Sequence, residues 1–320
     1  MAEIFRVMAP GRWTTIQDLG RAASRRMGVP VGGAMDRFAL VAANRLVGNP
    51  DDAAALECSG PGTDLEVLST GLVAVTGGNP APRLNGTPIP AWTSIFVVPG
   101  DRLGFPSPAG GARAYLAVSG GLQGEVWRGS MSTFTLLGRG GFDGRPLLPG
   151  DRLDRAVDPQ PGIAGRHLRE ARRPAYAPQP ELRVVAGPHL GRLSPADRSH
   201  LVEDFWTVSP QSDRMGYRLE GRMLPIGPSA MVSFALTAGC IQLPPSGQPL
   251  LLMADHPTAG GYPVMATVCR ADLPLAAQLG EGDRLRMRLV TVEQALAAWQ
   301  ERMTALAEIG PPRVSRRAVR

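Results

Sequence analysis

The chain has 320 residues, 43% of them apolar and 19% charged, with a net charge of +6; this composition belongs to ordinary globular proteins and excludes a disordered or membrane-embedded chain. No apolar run approaches the roughly 20 residues that a bilayer crossing needs, and the opening MAEIFRVMAPGRW lacks the apolar stretch of a signal peptide, so a cytoplasmic protein is expected. All 34 basic residues are arginine, and without a lysine amine the chain can host neither Schiff-base catalysis, nor a Walker A phosphate loop, nor a covalent biotin of its own.

The positive excess is concentrated in two segments, GRHLREARR (Gly165–Arg173) and PPRVSRRAVR (Pro311–Arg320), which leaves the rest near neutrality. With no basic face and no helix-turn-helix, zinc-finger or RNP signature, nucleic acid is not an expected partner. Arginine keeps its proton at any ordinary pH and grips anions through a planar fork, so cationic sites here are expected to be anion clamps and not general bases. Cys58, Cys240 and Cys269 are odd in number, far apart and in no CxxC pair; they read as buried small hydrophobes.

In chain order, short apolar runs punctuated by Gly and Pro dominate. EIFRVM, TDLEVL, GLVAVT, SIFVVP and RAYLAV read as strands in the first half, and a helix is expected from the cap Asp36 to about Val47, stopped by Gly48. PGDRL occurs at Pro99–Leu103 and Pro149–Leu153, and EGDRL at Glu281–Leu285. Each is expected to be the same turn, with Gly at positive φ, Asp closing the turn through its side chain, and a strand following. Residues 156–180 are Pro-rich and read as a linker between a first domain, 1–155, and a second, 181–310. The second half brings LRVVAG, a helix capped by Ser194 with Pro195 and Asp197 in its first turn, then AMVSFAL, CIQLPP, QPLLLM and DRLRMRLV. A final helix, VEQALAAWQERMTALAEI, carries a capping box of Thr291 and Gln294 and ends at Gly310, before a basic tail at 311–320. Trp299, Met303 and Leu306 recur on it at helical spacing and are expected to pack on a barrel. This mainly β pattern, with 39 Gly and 31 Pro supplying turns, indicates barrels or sandwiches.

The four His, at 167, 189, 200 and 256, show no HxxxH or HExxH spacing, so no metal site is expected and His256 reads as structural or solvent-facing. No GxSxG elbow is present. Polar residues do gather at three strand ends in the second half. In SPQSDRMGYRLEG, Ser212, Asp213 and Arg214 form either a carboxylate clamp or an Asx-type turn with an internal ion pair. Gln242 in CIQLPPSGQPL either meets substrate or satisfies backbone. ADHPTAGGYP adds Asp255, Thr258, Gly260, Gly261 and Tyr262. Three polar turns within about sixty residues fit a cleft at one rim of a barrel.

Seven ordered motifs, APGRWTTIQDLGR, GVPVGGAMD, ANRLVGNPDDAAALE, RAYLAVSGG, SDRMGYRLEG, GCIQLPPSGQPL and MADHPTAGGYP, span residues 9 to 263 and resemble the allophanate hydrolase subunit 2 or biotin-dependent carboxyltransferase-like family. The resemblance implies two cyclophilin-like β-barrels with a few short helices. For function it implies one component of an ATP-dependent 5-oxoprolinase that opens 5-oxo-L-proline to L-glutamate together with B-like and A-like partner chains. It leaves open half of a biotin-dependent carboxyltransferase acting on a urea-like substrate, and a non-catalytic regulator that binds a kinase-inhibitor protein. ATP, with Mg²⁺, is implied without a motif here to assign its site. On this basis Asp213, Asp255 and Tyr262 are the expected catalytic groups. Ser212, Arg214, Gln242, Thr258 and the Gly260 and Gly261 amides are the expected substrate contacts. Met131, His256 and Val264 depart from the family pattern: Arg is usual at the first two of these positions and Lys is common at the third.

Overall fold

The computed structural model describes residues 2–106, 110–159, 162–227 and 231–310, so the basic tail at 311–320 lies outside the described residues. The chain is mainly β and divides into two compact units. One comprises Met1–Arg21, Gly32–Arg173 and the chain from Met303; the other comprises Ala22–Val31 and Pro174–Arg302.

In the first unit the strands form two antiparallel sheets. The six-stranded sheet runs in the order Arg152–Asp154, Glu3–Pro10, Thr63–Val67, Arg102–Phe105, Arg83–Leu84, Thr87–Pro88. The five-stranded sheet runs Trp13–Gln17, Ala55–Ser59, Gly110–Val118, Gly71–Asn79, Ser94–Val97. Side chains alternate across a strand, and TDLEV shows the result: Thr63, Leu65 and Val67 are buried while Asp64 and Glu66 are not. Phe5, Leu65 and Leu103 from one sheet share a core with Ile16, Leu56 and Leu116 from the other. Each such side chain contributes about 1.5–3 kcal/mol by leaving water.

The opposite face of the five-stranded sheet is polar yet buried. Thr15, Glu57, Tyr115 and Thr76 stand in register on four adjacent strands. Helix Arg37–Leu46, capped by Asp36, lies over this row. Thr76 Oγ1 donates to Ala39 O at 2.7 Å, Met35 N donates to Glu57 Oε2 at 2.9 Å, and Asp36 N donates to Tyr115 OH at 2.8 Å. Tyr115 in turn donates to Glu57 Oε2 at 2.7 Å, so these buried polar groups hold the helix on the sheet through hydrogen bonds.

The second unit holds a closed seven-stranded barrel ordered Glu181–Ala186, Val264–Val268, Cys240–Gln242, Leu250–Leu252, Gly216–Glu220, Trp206–Val208, Arg284–Leu289. Closure is parallel, Glu181 facing Arg286 and Val184 facing Leu289. RLRMRL shows why that last strand forms: Leu285 and Met287 enter the barrel while Arg286 and Arg288 point out to Glu181, at 2.8 and 2.7 Å. A two-stranded ribbon, Phe234–Ala235 with Ala259–Gly260, lies outside the ring.

The three GDRL turns form alike. Gly100, Gly150 and Gly282 have φ of +91°, +90° and +82°. Asp101, Asp151 and Asp283 each accept, through the side chain, from the amide three residues back at 2.7–2.8 Å. A strand follows each turn. The helix caps also form as expected: Ser194 accepts from Asp197 N at 3.1 Å, and Thr291 and Gln294 exchange reciprocal bonds of 3.0 and 3.3 Å. On helix Val292–Ile309 the buried positions are Ala298, Ala305, Leu306 and Ile309; Met303 is exposed, and Trp299 is half-buried with Arg270 4.1 Å from its ring centre. Among the described residues no helix is long and apolar enough to cross a membrane.

Candidate functional site

The polar residues of the second half fall into two groups on the barrel. The first is built by the hairpin Trp206–Val208 and Gly216–Glu220. Asp213 Oδ1 accepts from Met215 N at 2.8 Å and Gly216 N at 3.2 Å, and Ser212 Oγ accepts from Arg218 N at 3.1 Å. Both side chains therefore close their own turn. Arg214 reaches across to Asp255, Nε to Oδ2 at 2.9 Å and Nη2 to Oδ1 at 3.3 Å, with side chains only 16% and 10% exposed. The backbone brings them together, because Met253 N donates to Met215 O and Asp255 N to Arg214 O, extending the ladder past Leu252. The turn is thus Asx-type, while the ion pair of Arg214 is not internal to it but reaches Asp255 on another segment.

The second group surrounds the segment entering strand Val264–Val268. Gln242 is buried, and its Nε2 donates to Tyr262 O at 3.1 Å, fixing the backbone from which the 46% exposed Tyr262 side chain projects. Gly260 pairs with Phe234, and a Cβ there would lie 2.8 Å from Leu236 Cδ1 and 3.2 Å from Gln242 Nε2, so a larger residue would have to displace the ends of those two side chains. A Cβ on Gly261 would sit 3.3 Å from Met231 O. Thr258 contributes its carbonyl to Leu236 N at 3.0 Å.

Register separates the groups. Gly216 faces Leu252 whereas Gln242 faces Leu250 and Val264, so Arg214 with Asp255 and Gln242 with Tyr262 lie at opposite ends of strand Leu250–Leu252. That is about 7 Å or more along the barrel, at roughly 3.3 Å per residue. The single-rim cleft expected from the sequence is thus not what the register draws. The segment 253–263 travels from one end to the other, and Thr258 lies along its course.

His256 is 2% exposed and its Nδ1–H donates to Pro257 O at 2.7 Å, a buried structural role and not a solvent-facing one. Met131 and Val264 are each buried in an apolar cluster, so in this chain both positions are packing positions. Among the described residues no three His, Cys, Asp or Glu side chains gather as a metal would require.

Two arrangements were not found in the sequence. Beside the Tyr262 segment, Val264 N donates to His189 Nδ1 at 3.0 Å, the His189 ring lies 5.1 Å from Phe234, and Arg192 Nη1 donates to Met231 Sδ at 3.0 Å. In the first unit, buried Asp18 accepts from Ser130 Oγ and Ser132 Oγ at 2.6 Å and from Met131 N and Gly20 N at 2.7 Å. Arg21, also buried, stands 5.0 Å from the Trp127 ring centre. Asp18 thereby locks two loops more than a hundred residues apart, a structural use of a carboxylate.

Comparison with known proteins bears on both units. Residues 27–289 match the family model described as "Carboxyltransferase domain, subdomain A and B". The chain is 34% identical over 301 residues to the C subunit of Escherichia coli 5-oxoprolinase, covering 93% of this chain and 95% of that protein. It is 35% identical over 286 residues to the C subunit of Haemophilus influenzae 5-oxoprolinase, covering 88% and 89%. Among solved structures, the urea amidolyase of K. lactis superposes with a TM-score of 0.90 at 28% identity, over 98% of this chain but only 20% of that one.

Proposed function

Because the chain belongs to the carboxyltransferase domain family, subdomains A and B, we propose that it serves as a cytoplasmic component of an ATP-dependent 5-oxoprolinase that opens 5-oxo-L-proline to L-glutamate. The observation that carries this reading is the extent of the likeness to two 5-oxoprolinase C subunits, which runs nearly the whole length of the E. coli protein.

The reaction is demanding because resonance stabilises the lactam amide. ATP supplies the activation, by phosphorylation of the lactam, after which water opens the ring. This chain has no lysine and no phosphate loop, which favours nucleotide and Mg²⁺ binding on a partner chain. This chain contributes one wall of a shared site. Tyr262 presents its phenol, Gln242 holds the Tyr262 backbone, and the Gly260 and Gly261 segment offers backbone close to a bound carbonyl. Thr258, Ser212, Asp213 and the Arg214–Asp255 pair fix the course of the chain into that wall. Reconstitution with each component omitted in turn tests the reading: glutamate should form only when this chain and both partners are present, and glutamate formation by this chain alone would contradict the shared site.

A second reading, half of a carboxyltransferase acting on a urea-like substrate, is favoured by the close superposition on urea amidolyase. Lacking lysine, the chain would receive carboxybiotin from another polypeptide. Neighbouring genes for a biotin carboxylase and a biotinylated domain would support that arrangement.

A further inference from the structure

We infer that the turn from His189 to Arg192, together with the ribbon beside it, is a binding site for a carboxylate group. Val264 N can only donate, so His189 Nδ1 accepts its bond at 3.0 Å and the ring proton sits on Nε2. His189 N also donates to Val264 O at 3.2 Å, which pins this residue to the start of a barrel strand through backbone and side chain together. Nε2–H then points away from that strand, and Phe234, tilted 41° to the ring, fixes its plane.

Arg192 lies three residues on, in the 3-10 turn Leu190–Arg192, where side chains three apart fall on the same side. Its Nη1 donates to the thioether of Met231, a neutral acceptor, and the bonds that His189 makes run to the Val264 backbone, so among the described residues neither is seen paired with an acidic side chain. A Cβ on Gly261 would meet Met231 O at 3.3 Å and Ser233 Oγ at 3.8 Å, so the Gly261 segment and the Ser233 hydroxyl lie beside the residue that Arg192 contacts. A guanidinium, an imidazole N–H and a hydroxyl without an acid are a donor set for an acceptor-only anion, and a carboxylate matches it with two oxygens. The site depends on the proposed function only for naming its ligand: 5-oxo-L-proline carries both a carboxylate and the ring amide that Tyr262 and the glycine segment would face. An acidic side chain of a partner protein has the same chemistry.

The test titrates the full chain, and separately its complex with the B-like partner, with 5-oxo-L-proline, acetate and 2-pyrrolidinone, the same ring without the carboxylate. Binding is read from the ¹⁵N shifts of His189. The expected result is binding of 5-oxo-L-proline at least tenfold tighter than 2-pyrrolidinone, an advantage lost in Arg192→Gln, whose exposed position leaves the thermal midpoint unchanged. If the carboxylate comes from the partner, Arg192→Gln instead weakens the complex at least tenfold and acetate competes with complex formation. Equal binding of the two ring compounds together with a complex indifferent to Arg192→Gln overturns the inference, as does a proton found on His189 Nδ1. Carboxylate binding that persists while the reconstituted enzyme forms no glutamate would overturn the proposed reaction and leave this site standing.

Discussion

Replacing Arg214 by Ala isolates the question of whether this arginine braces the barrel or grips substrate. In the structure its guanidinium makes two contacts to Asp255, at 2.9 and 3.3 Å. An exposed pair of this kind stabilises by about 0–1 kcal/mol, whereas removing one partner of a fully buried pair costs about 3–5 kcal/mol. With side chains 16% and 10% exposed the pair lies nearer the buried limit, and about 2–3 kcal/mol is expected. For a chain of 320 residues that lowers the thermal midpoint by roughly 3–5 °C. Differential scanning calorimetry of Arg214→Ala measures it, beside the double variant Arg214→Met with Asp255→Leu, which should regain most of the loss because apolar replacement removes the stranded charge. A midpoint for Arg214→Ala within about 1 °C of wild type, with activity of the assembled enzyme down tenfold, would refute the brace and make Arg214 a substrate group.

Burial pushes the Cys58 thiol up to about 12, so the stability it contributes is fully present below the unfolded value near 8.5–9 and is lost as pH rises toward 12. Urea unfolding at pH 8 to 10.5 should show a decline that Cys58→Ala flattens by about 1.4 kcal/mol per pH unit above pH 9; an unchanged slope would contradict the assignment. Tyr115, raised by burial first and then by Glu57 and Asp36, adds to the decline only above pH 10, its ordinary value. In the segment 156–180, limited trypsin digestion should cut slowly after Arg169 and Arg172, both paired to Glu308 at 2.9 and 2.7 Å, and Glu308→Gln should speed both cuts. Equal rates in the two proteins would mean that the pairs do not restrain the segment. Thr291→Ala should cost about 0.5–2 kcal/mol and raise amide exchange in the first turn of helix Val292–Ile309; exchange unchanged there would show that the observed capping box does not hold the helix end.

What could be read in advance was what neighbouring residues decide among themselves. Gly100 with Asp101, Gly150 with Asp151 and Gly282 with Asp283 each build their turn from a few adjacent groups, and the caps at Asp36, Ser194 and Thr291 reach only three residues. Long-range pairing was hidden. Gln242 and Tyr262 are only twenty residues apart, yet their separation from Arg214 and Asp255 follows from which residue faces Leu250 and which faces Leu252, a register that local pattern does not specify. Asp18 meets Ser130 and Ser132 across more than a hundred residues, and His189 meets Val264 across 75. No local signal marks either meeting, since a lone Asp or His in a Gly-rich turn is equally at home facing solvent. Substitutions read as lost charges, Met131 and Val264, turned out to be core residues, because family pattern alone does not say which way a side chain faces.

Lactam opening is measured directly by enzymatic assay of L-glutamate from 5-oxo-L-proline and ATP with this chain and its A-like and B-like partners, each also omitted singly. Glutamate should form together with ADP in the complete mixture, and none when this chain is left out. Undiminished glutamate without this chain would contradict it, as would a complete, stable complex that forms no glutamate and instead moves a carboxyl group from carboxybiotin to urea.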